Sequence, residues 1–182
     1  MNLPNKITMF RVVLIPFFVF FMLSEHIAYH NYIAVAIFIV ASLTDMLDGK
    51  IARKYNLVSN FGKFMDPLAD KLLVSSAMIC FVALPSNPMP AWVVIVIIAR
   101  EFIISGFRLV ASDAGVVIAA SYWGKIKTVT QMIMSILLIV NFDGYIINIV
   151  EYVFIYAALI LTVISLVDYM VKNWNVMRDG NM

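Results

Sequence analysis

The chain alternates long apolar runs with short polar breaks. The runs are Val12–Leu23, Ile27–Thr44, Leu72–Leu84, Ala91–Ala99 resuming at Phe102–Val110, Val129–Phe142 and Tyr152–Val167. Pro85-Ser-Asn-Pro-Met-Pro90 and Asn141-Phe-Asp-Gly144 are strong helix stops between them. The pattern predicts an all-α chain of six helices with no internal repeat. Two runs are short: Leu72–Leu84 has 13 residues and Ala91–Ala99 nine. Neither crosses roughly 30 Å of hydrocarbon at about 1.5 Å per residue. The third helix therefore has to begin near Asp66 or earlier, and the fourth has to run through Arg100, Glu101 and Arg108 to Val110. Ionisable groups at membrane depth are costly and are expected to face a polar cavity. Ahead of the first run, Leu3–Arg11 reads as a short interfacial helix started by Pro4. Asn5, Thr8 and Arg11 form one polar stripe on it, either as an anchor on lipid phosphates or as ligand contacts.

Composition narrows the class. Of 182 residues, 63% are hydrophobic and 13% charged, with a mean hydropathy of +0.95. Soluble domains are roughly 45–50% apolar and about 25% charged. A soluble globule, a disordered tail and a nucleic-acid reader are excluded, leaving an integral membrane protein with one membrane domain over 1–182. No small-x-small cleavage site follows Leu23, so the first run reads as a retained helix. Cys80, the single cysteine, lies in an apolar run and reads as a packing residue.

The charge map predicts topology. The connections around Ser24–Asn31, Leu84–Pro90 and Asn141–Asn148 hold no Lys or Arg. All 13 basic residues lie at the termini, in segment 45–71, in 100–108, or at Lys125 and Lys127. Positive charge stays on the cytoplasmic side, so six spans with both termini cytoplasmic are expected. His26 and His30 then belong to a bland external loop.

Four of the 11 acidic residues fall within 26 positions, between the second and third runs. Asp45 and Asp48 are i, i+3, and Asp66 and Asp70 are i, i+4, so each pair shares a helical face. A solvated loop with scattered charge would explain any one of them, but not two pairs at helical spacing on membrane helices. Converging carboxylates repel unless a cation compensates them. Hard oxygen donors favour Mg²⁺, Mn²⁺ or Ca²⁺, and a metal-bridged diphosphate is the natural ligand. Gly49 and Gly62 would let such a ligand approach the backbone. Pro67 marks either a helix start with Asp66 as N-cap or a bend in a helix beginning near Ser59. The second is preferred because it puts Gly62, Asp66 and Asp70 on one stripe.

The spacing Asp45-x₂-Asp48-Gly49-x₂-Ala52-Arg53-x₈-Gly62-x₃-Asp66-x₃-Asp70 resembles the signature of the CDP-alcohol phosphatidyltransferases at all eight positions. The resemblance extends to the six-helix plan. It implies transfer of a phosphatidyl group from a CDP-linked lipid to an alcohol, with release of CMP. Asp45, Asp48, Asp66 and Asp70 would hold a two-metal site, Mg²⁺ with Mn²⁺ as an alternative, and Asp70 would also serve as general base. Asn5, Thr8, Arg11, Gly49, Ala52, Arg53 and Gly62 would contact the CDP moiety. The resemblance further implies a homodimer in a bacterial cytoplasmic membrane, with the site facing the cytoplasm and membrane lipid around it.

The acceptor is read from a second group: Arg100, Glu101 and Arg108, then Gly124-Lys-Ile-Lys-Thr128. Glu101 can pair with Arg100 or Arg108. Arg108, Lys125 and Lys127 remain as cations suited to an acceptor that carries a phosphate. The strings Ala99-Arg-Glu-Phe102 and Gly124–Thr128, and the opening Asn2–Thr8, resemble the bacterial members of the family that use sn-glycerol 3-phosphate. They imply that Arg108 and Lys125, with Lys127 and Arg100, bind its phosphate, and that CDP-diacylglycerol is the donor. The rivals are the same chemistry with phosphatidylglycerol, serine or inositol phosphate as acceptor, and a divalent-cation transporter using the four aspartates. The transporter requires an outward path that the external loops do not offer.

Overall fold

The computed structural model describes residues 2–24, 26–54, 60–113, 116, 118, 119 and 121–174, with backbone alone at 46–54, 60, 61, 63, 64, 67 and 113. Among the described residues it has six α-helices and no strand: α1 Leu3–Leu23, α2 His30–Lys54, α3 Asn60–Ala83, α4 Ala91–Asp113, α5 Tyr122–Val140 and α6 Tyr145–Lys172. Three of them, α1, α5 and α6, are long and apolar enough to cross a membrane. The remaining helices carry the acidic and basic residues that lower their hydropathy. Packing divides the chain into two compact units, Met1–Asn87 with Ser135–Phe142, and Pro88–Met134 with Asp143–Met182.

In the first unit α1 packs on α2 and α3, and α2 touches α3. The buried face of α1 is Pro4, Asn5, Thr8, Arg11, Ile15, Phe18 and Met22, spaced three and four apart. Its exposed face carries Leu3, Phe10, Val13, Phe17 and Phe20. Polar side chains turned inward and apolar ones outward invert the soluble pattern and suit a lipid surround. Opposite α1, the α2 stripe is Ala34, Phe38 and Ala41, all fully buried, and the next position on it is Asp45. The two alanines admit α1 closely, while Phe18 and Phe38 stack at 5.8 Å between ring centroids. Such an aromatic pair contributes about 1 kcal/mol beyond its buried area. On α3 the stripe runs Gly62, Ala69, Leu73, Ala77 and Cys80, so Cys80 is the buried packing residue that its apolar run predicts. At the far end of this unit, the side-chain amides of Asn31 and Asn87 donate to Val140 O (3.5 Å) and Leu138 O (3.3 Å). They satisfy carbonyls that the end of α5 leaves open. His30 Nδ1 sits 3.2 Å from Phe21 O, a structural contact at that same end.

In the second unit α4 packs on α6. The buried α4 stripe is Val93, Ile97, Arg100, Ile104 and Ala111, and that of α6 is Glu151, Ile155, Ala158, Thr162, Ser165 and Tyr169.

Two sequence expectations change, and the preferred reading of the third helix holds. The segment Leu3–Arg11 is not a separate interfacial helix; it forms the first turns of a continuous α1. No breaker stands between Arg11 and Val12, and burial of Arg11 removes the reason for the segment to turn along the lipid surface. The fifth and sixth helices each begin seven residues earlier than their apolar runs. Lys125 and Lys127 interrupt hydropathy in α5 without interrupting the backbone, and the extra turns of α6 follow directly on Gly144. Helix α3 starts at Asn60, so Pro67 lies within it and Gly62, Asp66 and Asp70 share one helix.

Candidate active site

The first unit builds an acidic group on α2 and α3 and meets it with α1. Two turns into α1, Thr8 is fully buried and its Oγ1 donates to Asp66 Oδ1 at 2.6 Å, with Pro4 O 3.2 Å away. One turn further, Arg11 is 0% exposed, and its Nη1 donates to Asp45 Oδ1 at 2.6 Å while the Asp45 side chain stays 37% exposed. Asp45 lies within electrostatic reach of both Asp70 and Asp66. The polar stripe of α1 therefore brings one hydroxyl and one guanidinium to three carboxylates that repel one another. Arg11 lowers that repulsion at Asp45, and the part-exposed carboxylate edges stay accessible. Asn5 and Gly62 are buried in the same unit. The side chains of Asp48, Gly49, Ala52 and Arg53 lie outside the described residues. Among the described residues, no three His, Cys, Asp or Glu side chains are close enough together to hold a metal.

The second unit builds a basic group. Glu101 on α4 accepts from Arg100 Nη1 at 3.2 Å and pairs with Lys127 Nζ from α5 through the same Oε1. Lys127 is 2% exposed, Arg100 9%, and the Glu101 side chain 19%. A Cβ at Gly124 would lie 3.7 Å from Arg100 Nη2, so the first turn of α5 approaches the guanidinium through a residue without a side chain. Arg108 lies within electrostatic reach of Arg100. It sits over the Tyr169 ring at 5.8 Å, a cation–π distance. Tyr169 is itself braced edge-on by Phe107 at 5.8 Å. The Nε atoms of Arg100 and Arg108 are buried without a hydrogen-bond partner. Lys125 is exposed on α5. Among the described residues Arg100, Arg108 and Lys127 gather around one carboxylate, Glu101, and Lys125 adds a further cation on α5, so the group carries an excess of positive charge.

Several contacts were not legible in the sequence. Thr8 and Arg11 read as ligand or lipid contacts, and the structure also makes them partners of Asp66 and Asp45. The polar stripe was visible, but nothing in its spacing named Asp66 and Asp45 as its partners. Lys127 was read as not spoken for and is held by Glu101; Glu101 itself pairs with Arg100 and Lys127, not with Arg108. Tyr169 was missed altogether. Its only sequence signal is that it continues the α6 stripe, eighteen residues after Glu151.

Comparison with known proteins bears on both groups. A family model described as CDP-alcohol phosphatidyltransferase matches residues 1–164. The chain is 45% identical to a CDP-diacylglycerol–glycerol-3-phosphate 3-phosphatidyltransferase of Bacillus subtilis, over 99% of both chains. It is 39% identical to a protein of the same name from Haemophilus influenzae, over 93% of this chain and 91% of that one. A probable phosphatidylglycerophosphate synthase of Mycobacterium tuberculosis is 38% identical over 94% of this chain and 81% of that one.

Proposed function

The chain belongs to the CDP-alcohol phosphatidyltransferase family, and from that premise we propose that it transfers a phosphatidyl group from CDP-diacylglycerol to sn-glycerol 3-phosphate, releasing CMP. The relatives named for this reaction align over nearly their whole lengths. The observation that carries the acceptor is the basic group on α4 and α5. Its excess of positive charge and, among the described residues, its two guanidinium Nε atoms without a partner suit an anionic, oxygen-rich ligand. A phosphate monoester carries about −1.5 to −2 at pH 7. Serine brings no net charge and a phosphodiester one negative charge, so each offsets less of that excess.

In this reading Arg108, Lys125, Lys127 and Arg100 bind the acceptor phosphate, Arg100 and Arg108 through bidentate geometry that a guanidinium supplies and an ammonium does not. Asn5, Thr8, Arg11, Gly49, Ala52, Arg53 and Gly62 hold the CDP moiety. Asp70 takes the proton of the attacking hydroxyl. As the oxygen–phosphorus bond to the acceptor forms, the bond from that phosphorus to CMP breaks, and CMP leaves with the electron pair. A direct displacement is the simplest path, since one proton transfer to Asp70 and one P–O exchange complete it.

The donor set suits Mg²⁺, or Mn²⁺, in its chemistry: part-exposed carboxylate oxygens in mutual electrostatic reach, with one positive charge already drawn to them. Asp45, Asp48, Asp66 and Asp70 would be its ligands. Bound there, it would polarise the diphosphate and offset charge on the departing CMP.

The membrane arrangement belongs to the same proposal: one phosphatidyltransferase domain with six spans, both termini and the site on the cytoplasmic side of a bacterial inner membrane, as a homodimer. Two features support the six spans. The three connections named above hold no Lys or Arg. Several exposed Tyr and Trp side chains lie at or near helix ends, Tyr29, Tyr32, Trp92 and Tyr145 by those connections and Tyr122, Trp123 and Trp174 by the basic ones, although Tyr152 and Tyr156 are exposed further inside α6. Such girdles mark the two lipid–water interfaces. The test of function is CMP release by the purified protein in lipid nanodiscs supplied with CDP-diacylglycerol, Mg²⁺ and sn-glycerol 3-phosphate. Release that depends on the acceptor supports the reading, and none at all refutes it.

A further inference from the structure

We propose that Glu101 is a positioning residue for the acceptor phosphate, acting through Arg100 and Lys127 rather than on the substrate itself. The proposal rests on the acceptor reading above and adds a residue to it. A carboxylate in an anion-binding group repels the ligand, so its presence there needs a reason. The geometry supplies one. A single oxygen, Oε1, takes both Arg100 Nη1 from α4 and Lys127 Nζ from the second turn of α5. Two buried cations on different helices are thereby fixed to one point. That shared oxygen offsets the repulsion between the two cations and sets their spacing. Arg100 is then aimed by its bond to Glu101, on the side of α5 where Gly124 carries no side chain and a Cβ would lie 3.7 Å from Nη2. Its Nε stays buried with no partner. A guanidinium held by one Nη and left with an orphaned Nε is oriented for a ligand oxygen and is not satisfied by the protein. Glu101 accepts from Arg100 and Lys127, so it has no proton to offer a phosphate. Its contribution is orientation, and orientation is where displacements of about 1 Å cost up to about a hundredfold in rate.

The readout is the KM for sn-glycerol 3-phosphate against that for CDP-diacylglycerol, measured on the full-length protein in nanodiscs. Glu101→Gln keeps the shape and removes the charge. The expected result is a KM for the acceptor raised about tenfold or more, with that for the donor within about twofold of wild type. Lys127→Gln should move the acceptor KM in the same direction. The Glu101→Gln/Lys127→Gln double variant should raise the acceptor KM by less than the product of the two single effects, because the pair shares the Oε1 contact. Glu101→Asp retains the charge on a shorter stem and should fall between wild type and Glu101→Gln. It also carries the test if Glu101→Gln fails to fold. An unchanged acceptor KM, an equal rise for both substrates, or a double variant whose effects multiply would each overturn the proposal. A merely structural Glu101 would lower the yield of folded protein and leave both KM values where they were, which also overturns it. Wild-type protein that does not turn over glycerol 3-phosphate removes the acceptor reading along with this proposal. Wild-type turnover with an unmoved variant KM removes this proposal alone.

Discussion

Replacing Arg11 with Met tests whether the N-terminal stripe is part of the acidic site or an anchor on lipid phosphates. Met keeps much of the length and apolar stem and removes the guanidinium. Arg11 is fully buried, and it pairs with Asp45 at 2.6 Å while the Asp45 side chain stays 37% exposed. Breaking a fully buried pair from one side costs about 3–5 kcal/mol. The exposed carboxylate can recover water, so the solvent-discounted expectation falls to about 2 kcal/mol, the range of one charged hydrogen bond. For a chain of this size each kcal/mol moves Tm by about 2–4 °C, so Arg11→Met should unfold roughly 4–8 °C below wild type. Asp45→Asn in the Arg11→Met background should cost far less than Asp45→Asn alone, giving a coupling of about 1–2 kcal/mol. Arg11→Lys keeps the charge, loses the planar fork and should fall between the two. Thermal unfolding in one detergent, followed by tryptophan fluorescence, reads all four proteins. A Tm for Arg11→Met equal to wild type, with strictly additive Asp45→Asn, would refute the pair as a structural link. Loss of binding to anionic vesicles with no change in Tm would favour the lipid anchor.

Three further outcomes are expected. Thr8→Val is isosteric and removes only the hydroxyl that donates to Asp66; it should lower stability by about 1.5 kcal/mol, and an unchanged unfolding midpoint would show that this contact carries no weight. Glu151 is 2% exposed with Oε1 lacking a partner, so Glu151→Gln should match or exceed the wild-type midpoint with activity retained, whereas a large drop would reveal a charge partner for this carboxylate. Chelation with EDTA should abolish CMP release, and Mg²⁺ should restore it; undiminished release after exhaustive chelation would remove the metal from the mechanism.

The sequence showed the helices well and their partners poorly. Hydropathy located all six because each carries a long apolar run, and Pro85–Pro90 and Asn141–Gly144 end helices by backbone chemistry that needs no tertiary context. The start of α5 was read late because Gly124, Lys125 and Lys127 lower hydropathy in its first turns, and hydropathy cannot separate a polar helical turn from a loop; the α3 start near Ser59 was read from the Gly62, Asp66 and Asp70 stripe instead. The acidic residues stood out because two aspartate pairs repeat at helical spacing, and Asp45, Asp66 and Asp70 do lie within electrostatic reach of one another. The contacts that hold them were hidden. Arg11 meets Asp45 across 34 positions, Thr8 meets Asp66 across 58, and Lys127 meets Glu101 across 26. Nothing local encodes such pairings; they follow from which helical stripes pack together. Tyr169 was invisible for a related reason, since an aromatic residue on a membrane helix reads as lipid-facing until a cation such as Arg108 is seen above it.

The central claim is that a phosphate-bearing alcohol accepts the phosphatidyl group. Its most direct test offers the purified protein CDP-diacylglycerol and Mg²⁺ with one acceptor at a time: sn-glycerol 3-phosphate, glycerol, serine, inositol phosphate or phosphatidylglycerol, with CMP and the lipid product both quantified. The account predicts equal amounts of CMP and phosphatidylglycerol phosphate with glycerol 3-phosphate, and background release with glycerol, which lacks only the phosphate. Turnover with glycerol, serine or phosphatidylglycerol and none with glycerol 3-phosphate would contradict it.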